Sequence, residues 1–531
     1  MVSAMLPTEC PPIADVKACE IWLERAALAD PRKACHELTA LLESLEETPP
    51  RDSDYLDILE RLRLPIAIAQ NEHGKKFATR PLPLKDHEQA AFHQVVDLWI
   101  TLGRAYRRLL ESMTDDRPAH LRPDLHGKES LLAQRALDCA VDLMLVHYRC
   151  RRELDAELWR DVHQLYRIAE GLGIEKETVP AGRKLKSVSS PVEVYNRALL
   201  LALANPYTLT PRELTWLRRW SAMWGFKVEL HPHAEAGQGY AVDTAGDHGP
   251  EWLTNAAVGP AIRFLSVDAL RRSVGGRIKK LDQGEDPQAL GLGKDCVQPE
   301  CGRLLLTLLR SWSERPPARQ FSRRLAPERT ELVCGMSAIH TAVGGKALKS
   351  QARHWDYSRR DAEQLFIYQG VGGGADASSE ATFAAEKWET LDESATGFRL
   401  RRKGGGERLY HQQLVALKPG GARAFMLCEV RWLIVGFDES ITIGANALPG
   451  MAEAVAIRPV AAPNKASEAY THGFVLPEST ANPNSVILPV GWYQADREIE
   501  IQLDGMLVRA SLQAHLRRGY DFDLASFKVT G

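Results

Sequence analysis

No apolar run in this 531-residue sequence is long enough to cross a membrane. The longest, Ala198-Leu-Leu-Leu-Ala-Leu-Ala204, falls far short of the ~20 residues a spanning helix needs. Charge of one sign is lacking too. With 67 basic and 69 acidic side chains the formal net charge is −2, which excludes a protein that holds nucleic acid by overall basicity. Cysteines are few: nine, scattered along the chain. The N-terminus has neither the basic stretch nor the apolar core of a secretory signal. Dispersed thiols without such an address fit a reducing compartment, so a cytoplasmic protein with no membrane insertion is expected. Cys296 and Cys301 are the closest pair, with no second pair beside them to complete a zinc site, so no metal is expected.

What is present is ample core material. Hydrophobic residues make up 44% and charged residues 26%, enough apolar content for several domains and too much for a disordered chain. From 14 to about 225 the pattern is helical. Asp15 opens a run in which Val16, Cys19, Ile21-Trp22-Leu23 and Ala26-Ala27 recur at helical spacing. Asp30-Pro31 is a cap followed by a first-turn proline, and Thr210-Pro211-Arg-Glu213 is a capping box in waiting. Between them, helices are expected over 87–113, 130–150, 155–172 and 192–203, with another over 211–223. Helices of this length with short connections suggest a bundle or a solenoid of helix pairs.

At Trp224 the period changes. Phe226–Leu230, Gly239–Val242 and Ala261–Phe264 alternate as strands do, and helices return at Asp268–Leu281 and Leu304–Trp312. This α+β piece, 226–315, ends at Pro316-Pro317, which no helix can continue. From 316 to 461 the chain reads as short strands: Thr330–Cys334, Trp388–Thr390, Gly397–Arg402, Leu409–Leu417, Phe425–Val435 and Ile441–Ala447. Lys403-Gly-Gly-Gly406 and Pro419-Gly-Gly421 supply turns, and such a series suggests a small closed barrel. A looped insertion is expected at about 344–385, with the flexible tract Gly370–Ser379 inside it. The remainder, 462–531, carries further strand patterns at Ser485–Trp492, Arg497–Leu503 and Met506–Gln513. These either extend the barrel or form their own module.

Two stretches carry chemistry. Arg319-Gln-Phe-Ser-Arg323-Arg324 places guanidinium groups four apart on a segment beside the proline pair. Asp392-Glu-Ser394-Ala-Thr-Gly397 places a carboxylate, a hydroxyl and a glycine at short spacing. Arginine suits phosphodiesters and the O6/N7 edge of guanine, because its planar fork donates two parallel hydrogen bonds. Asp392 can accept from guanine N1 and N2 or brace an arginine. Ser394 offers a hydroxyl to phosphate, and Gly397 lets a ligand approach the backbone. The same residues also fit plainer roles, as solvated charges at a junction and an Asx-type turn. Asp438-Glu-Ser440 imitates the second motif, but its glycine, Gly444, comes one residue late.

Together the stretches spell R-x-x-x-R and D-x-S-x-x-G, which resembles the signature of PilZ domains, small β-barrels that bind the bacterial second messenger cyclic di-GMP. Cys428-Glu-Val-Arg-Trp432 and Ile443-Gly444 are similar to that family's later strands, and the resemblance covers about residues 316–460. PilZ domains usually separate the two motifs by a few tens of residues, so the 69 positions between Arg323 and Asp392 imply the looped insertion. The resemblance implies a multidomain α+β protein: a helical N-terminal region, a small α+β middle, and a C-terminal PilZ-like barrel with an insertion and an extra β module. It implies a cytoplasmic bacterial receptor for cyclic di-GMP, with Arg319, Arg323, Arg324, Asp392, Ser394 and Gly397 as the ligand-binding set. The helical region would then engage a protein partner in motility, pilus or biofilm control. The alternative is an interaction scaffold whose barrel has lost its nucleotide. Trp432 reads as barrel core rather than as a ligand platform.

No enzyme is expected. Gly370-Val-Gly-Gly-Gly lacks the strand before and helix after that a dinucleotide loop needs, and no Walker lysine follows. His231, His233 and His340 stand without partners at metal spacing. His354 beside Asp356 has no nucleophile or second carboxylate.

Overall fold

In a computed structural model the described residues are 13–114, 125–180, 188–233, 239–253, 259–318, 321–326, 328–345, 384–460, 468–478, 483–503 and 506–530. They fall into two compact units. One comprises the chain up to Arg80 with Leu84–Ala318; the other is Pro81–Pro83 with Arg319–Gly531.

The first unit is helical where the capping signals place helices. Asp15 accepts from the Ala18 amide and opens Val16–Arg25; Asp30 accepts from Arg32 and Lys33 and opens Pro31–Glu47. Asp86–Thr114, Glu129–Arg149, Ala156–Gly171 and Pro191–Leu203 follow. Pro211–Trp224 starts with the full Thr210/Glu213 capping box. A further helix, Asp52–Gly74, runs through Pro65, where the loss of one amide donor hides it from periodicity. Its carboxylate Glu60 takes both Nε (2.8 Å) and Nη2 (2.9 Å) of Arg135 and the Tyr106 hydroxyl (2.9 Å). Arg135 is buried and also donates to the Pro180 carbonyl at 2.8 Å.

Two short strands, β1 (Val179–Pro180) and β2 (Val188–Ser189), pair with each other. A four-stranded antiparallel sheet contains β3 (Glu229–His231), β4 (Gly239–Asp243), β5 (Glu251–Leu253) and β6 (Ile262–Ser266), in the order β3-β6-β4-β5. Residues 225–227 are a 3-10 turn, so the strand expected from Phe226 begins only at Glu229. Helices Asp268–Asp282 and Glu300–Ser313 complete the unit. One core joins these parts, from Ile13 to Trp312. At its heart Trp216 stacks on Trp220, Trp220 meets Trp224 at a tilt along the same helix, and Trp312 meets Trp224 edge-on. Each ring removes roughly 150–250 Å² from water. Cys296 and Cys301 are joined as a disulfide, a bond the scattered-thiol reading leaves out.

The second unit holds two closed antiparallel barrels of six strands each. The first contains β7 (Arg329–Cys334), β8 (Glu386–Glu393), β9 (Gly397–Arg402), β10 (Leu414–Lys418), β11 (Met426–Val435) and β12 (Ile441–Ala447), closing in the order β10-β11-β12-β9-β8-β7. The second contains β13 (Glu453–Pro459), β14 (Thr471–Leu476), β15 (Ser485–Pro489), β16 (Glu498–Leu503), β17 (Met506–Arg518) and β18 (Phe522–Val529). Its order is β13-β14-β15-β18-β17-β16, so the C-terminal strands form their own module.

A short helix, Met336–Gly344, follows β7 and ends where the insertion is expected to begin, and Ile339 joins a core shared by both barrels. That core contains Val333, Leu414 and Leu427 of the first barrel with Phe474, Leu476 and Phe522 of the second. Polar bonds reinforce it: the Leu414 amide donates to Asp521 (2.9 Å) and Arg517 pairs with buried Glu429 (2.5 Å). Within the same unit Leu82 bridges Leu409. Most of the expected insertion, including Gly370–Ser379, His354 and Asp356, lies outside the described residues.

Candidate functional site

The two motifs come together at one end of β8. A β-bulge between Thr390 and Asp392 leaves Leu391 as the extra residue and sets Asp392 opposite Arg399 of β9. The Asp392 carboxylate bonds the Arg323 guanidinium, and its other oxygen lies 3.6 Å from Arg399 Nη1. Next to this pair Arg324 and Glu393 exchange both backbone hydrogen bonds at 3.0 Å. Arg324 Nε also donates to Glu393 Oε1 at 2.7 Å, although 82% of the Arg324 side chain stays exposed. Two consecutive residues of the arginine segment are thus held on two consecutive residues of β8. Arg319 lies outside the described residues.

Ser394 and Gly397 shape the β8–β9 hairpin. The Ser394 amide donates to the Gly397 carbonyl at 2.8 Å, and the Ser394 hydroxyl accepts from the Gly397 amide at 3.1 Å. Gly397 is not among the glycines with positive φ, so the missing side chain there concerns space. A Cβ on it would sit 3.3 Å from the Ser394 hydroxyl oxygen. The near-copy at Asp438 has a different job. Its carboxylate accepts from the Ser440 amide at 3.1 Å in the β11–β12 hairpin, and the Ser440 hydroxyl and amide hold it below the usual aspartate range.

Register extends the site across the barrel. Asp392 pairs with Arg399, Arg399 with Gly444, and Gly444 with Trp432, so these four residues form one row on one face of β8-β9-β12-β11. The adjacent row, Leu400, Ile443 and Leu433, is buried, which makes the Asp392–Trp432 row the outward one. This corrects the expectation for Trp432. The residue is half-buried, and its indole lies over Gly444, where an added Cβ would meet three ring atoms within 2.1–2.8 Å. Arg399 is 48% exposed. Arg399 lies outside both motifs, whereas Trp432 and Gly444 sit on the stretches similar to the family's later strands; they are twelve apart in sequence yet cross-strand neighbours.

The other sequence candidates stay apart from this site. His231 lies 3.5 Å from Glu229, and His340 Nε2 faces the Val455 carbonyl at 3.2 Å. Among the described residues no group of three His, Cys, Asp or Glu side chains is placed to hold a metal, and no helix is long and apolar enough to cross a membrane.

Two family models match the chain. Residues 17–235 match the N-terminal domain of the cyclic-di-GMP receptor FimW, and residues 455–530 match the FimW C-terminal beta-barrel domain. The chain carries FimW-type domains at both ends. The first FimW-type domain covers the helices from Val16–Arg25 through Pro211–Trp224, and the second covers β13–β18. Neither match reaches the first barrel, where Arg323 and Asp392 meet. No curated protein matches.

Proposed function

We propose that the first barrel binds cyclic di-GMP at the junction of the arginine segment with β8, and that the chain is a bacterial, cytoplasmic receptor for this messenger. The union of Arg323 with Asp392 carries the reading. It brings a phosphate-type cation and a guanine-type acceptor into one place across 69 positions of sequence. The FimW-type domains on either side support it, because FimW is described as a cyclic-di-GMP receptor.

In this reading Arg319, Arg323 and Arg324 take the phosphodiesters and the guanine O6/N7 edge. Asp392 accepts from guanine N1–H and N2–H, and Ser394 and Gly397 line the approach. Arg323 already holds Asp392, so a guanine must share that carboxylate or displace the guanidinium. The rearrangement therefore centres on Arg323, while Arg324 keeps its backbone bridge. From there the change passes through the segment after Pro316-Pro317 to the helical region, whose protein partner belongs to pilus, motility or biofilm control.

Calorimetry with cyclic di-GMP on the full chain tests this. Micromolar or tighter binding that disappears in the Arg319→Ala/Arg323→Ala double variant is expected. A folded wild-type chain that binds nothing would leave the barrel as an interaction scaffold instead.

A further inference from the structure

The helical unit holds a small cavity of its own. It lies among the helices Asp52–Gly74, Asp86–Thr114, Glu129–Arg149 and Pro211–Trp224. Its volume is about 60 Å³, several times what one water needs. Pockets that take whole organic ligands begin at about 300 Å³, so no nucleotide fits. Gln70, Trp99, Asp142, Arg149 and Arg218 are among its walls. Gln70 is only 4% exposed, and among the described residues neither its amide nitrogen nor its oxygen has a hydrogen-bond partner. An amide so buried is costly unless a group in the cavity answers both its donor and its acceptor side. The charges are out of balance too. Asp142 lies 3.5 Å from Arg218 and 3.7 Å from Arg197, and Arg197 also bonds Asp138 at 2.7 Å. Arg149 forms no ion pair among the described residues. Burial, with Arg218 beside it, holds its guanidinium below the usual arginine range. The cavity has a cation to spare.

We propose that this cavity binds free hydrogen phosphate, a function independent of the messenger reading given above. Arg149, Arg218 and the Gln70 amide nitrogen donate to the phosphate oxygens. The Gln70 oxygen and the Asp142 carboxylate are acceptors on the same walls, and they require a ligand that brings a proton. Hydrogen phosphate supplies it as P–OH. Sulfate and phosphodiesters carry no such proton near neutral pH, and a phosphomonoester loses its last one with a pKa of about 6. Asp142 repels an oxyanion that has no proton to give. Burial raises the Asp142 carboxyl, the direction that favours sharing a proton with bound phosphate. The arginines select for negative charge, and the acceptors select among anions.

The test is calorimetry and thermal unfolding of the full chain at about pH 8 with inorganic phosphate, sulfate and methyl phosphate. Phosphate should bind and raise the unfolding midpoint, while sulfate and methyl phosphate bind at least about 10-fold more weakly. Arg149→Met removes a buried cation that has no counter-ion, so it should fold with an equal or higher midpoint. Its phosphate affinity should fall by about 10- to 100-fold. Asp142→Asn should bring the phosphate and sulfate affinities together, because asparagine can donate to either. Wild-type phosphate affinity in Arg149→Met would overturn the site. Sulfate or methyl phosphate bound as tightly as phosphate by the wild-type chain would overturn hydrogen phosphate as the ligand. No binding of millimolar phosphate by the folded wild-type chain would overturn the proposal, whatever cyclic di-GMP does. If Asp142→Asn unfolds, Arg149→Met and the sulfate comparison decide the matter.

Discussion

The Arg323 guanidinium bonds the Asp392 carboxylate although 69 residues separate them, and Arg324 beside it is tied to Glu393 through the backbone. Arg323 and Arg324 are therefore both seated on β8. A ligand that uses Arg323 meets a cation held at the right carboxylate, so little ordering remains at that point.

Arg323→Ala and Asp392→Ala should each weaken cyclic di-GMP binding by about 10- to 100-fold, the scale of a charge-assisted bidentate contact. Asp438→Ala should leave affinity unchanged. Folding should hardly respond, because the Arg323–Asp392 pair is partly exposed and such pairs contribute about 0–1 kcal/mol. Equal losses of affinity at Asp392 and Asp438 would mean the site lies elsewhere.

Arg324→Pro removes the amide that donates to the Glu393 carbonyl and keeps the chain length. Binding should weaken, since the variant loses the backbone bridge together with the Arg324 guanidinium. By hydrogen exchange, the wild-type Arg324 and Glu393 amides should be protected without ligand and gain little when it is added. Strong ligand-induced protection at both would show that the bridge forms only in the complex.

Glu60→Ala leaves the buried guanidinium of Arg135 in the helical unit without its counter-charge, with only the Pro180 carbonyl and the Gln134 side chain as acceptors. The expected cost is about 3–5 kcal/mol, the usual result of leaving one partner of a buried pair. Chemical denaturation followed by far-UV circular dichroism reads it, and Glu60→Gln should cost less because a neutral acceptor remains. A change within 0.5 kcal/mol would show that the Pro180 and Gln134 acceptors suffice for Arg135.

Burial pushes the Asp521 carboxyl up to about 6, against the bond from the Leu414 amide. Between about pH 4 and pH 6 the folded chain therefore holds a proton that the unfolded chain has lost. Stability from this group is present at about pH 4 and is lost as pH rises through 6, by up to roughly 3 kcal/mol. Asp521→Asn should flatten that part of the profile in urea titrations from pH 4 to 7. An unchanged slope would assign it to other groups.

Much of the fold was legible because its signals are local. Asp15, Asp30, Asp155 and Thr210 announce helices that begin where they cap, and alternation finds β9 and β12 to the residue. What escaped depends on distant partners or on a broken pattern. Pro65 disguises a long helix, and the short helix after β7 draws its stability from Ile339 in a core shared by two barrels. β13, β14 and β18 acquire their meaning only when the second barrel closes. Of the site, the motifs were readable and their meeting was not, since no spacing rule spans 69 positions. Trp432 shows the limit most clearly: a tryptophan in a strand reads as core until its cross-strand neighbour is seen to be glycine.

Closure of the two barrels also restricts how another chain can attach to them. Each sheet closes on itself, and the end of β8 that runs past β7 is already paired by Arg324, which leaves little strand edge in either barrel for a guest peptide. A partner reading the barrels must grip outward side chains, the class to which a bound nucleotide also belongs. Among the larger sheets described, the open one is the four-stranded sheet of the helical unit, with β3 and β5 at its margins. Strand-for-strand recognition, if the output uses it, belongs there.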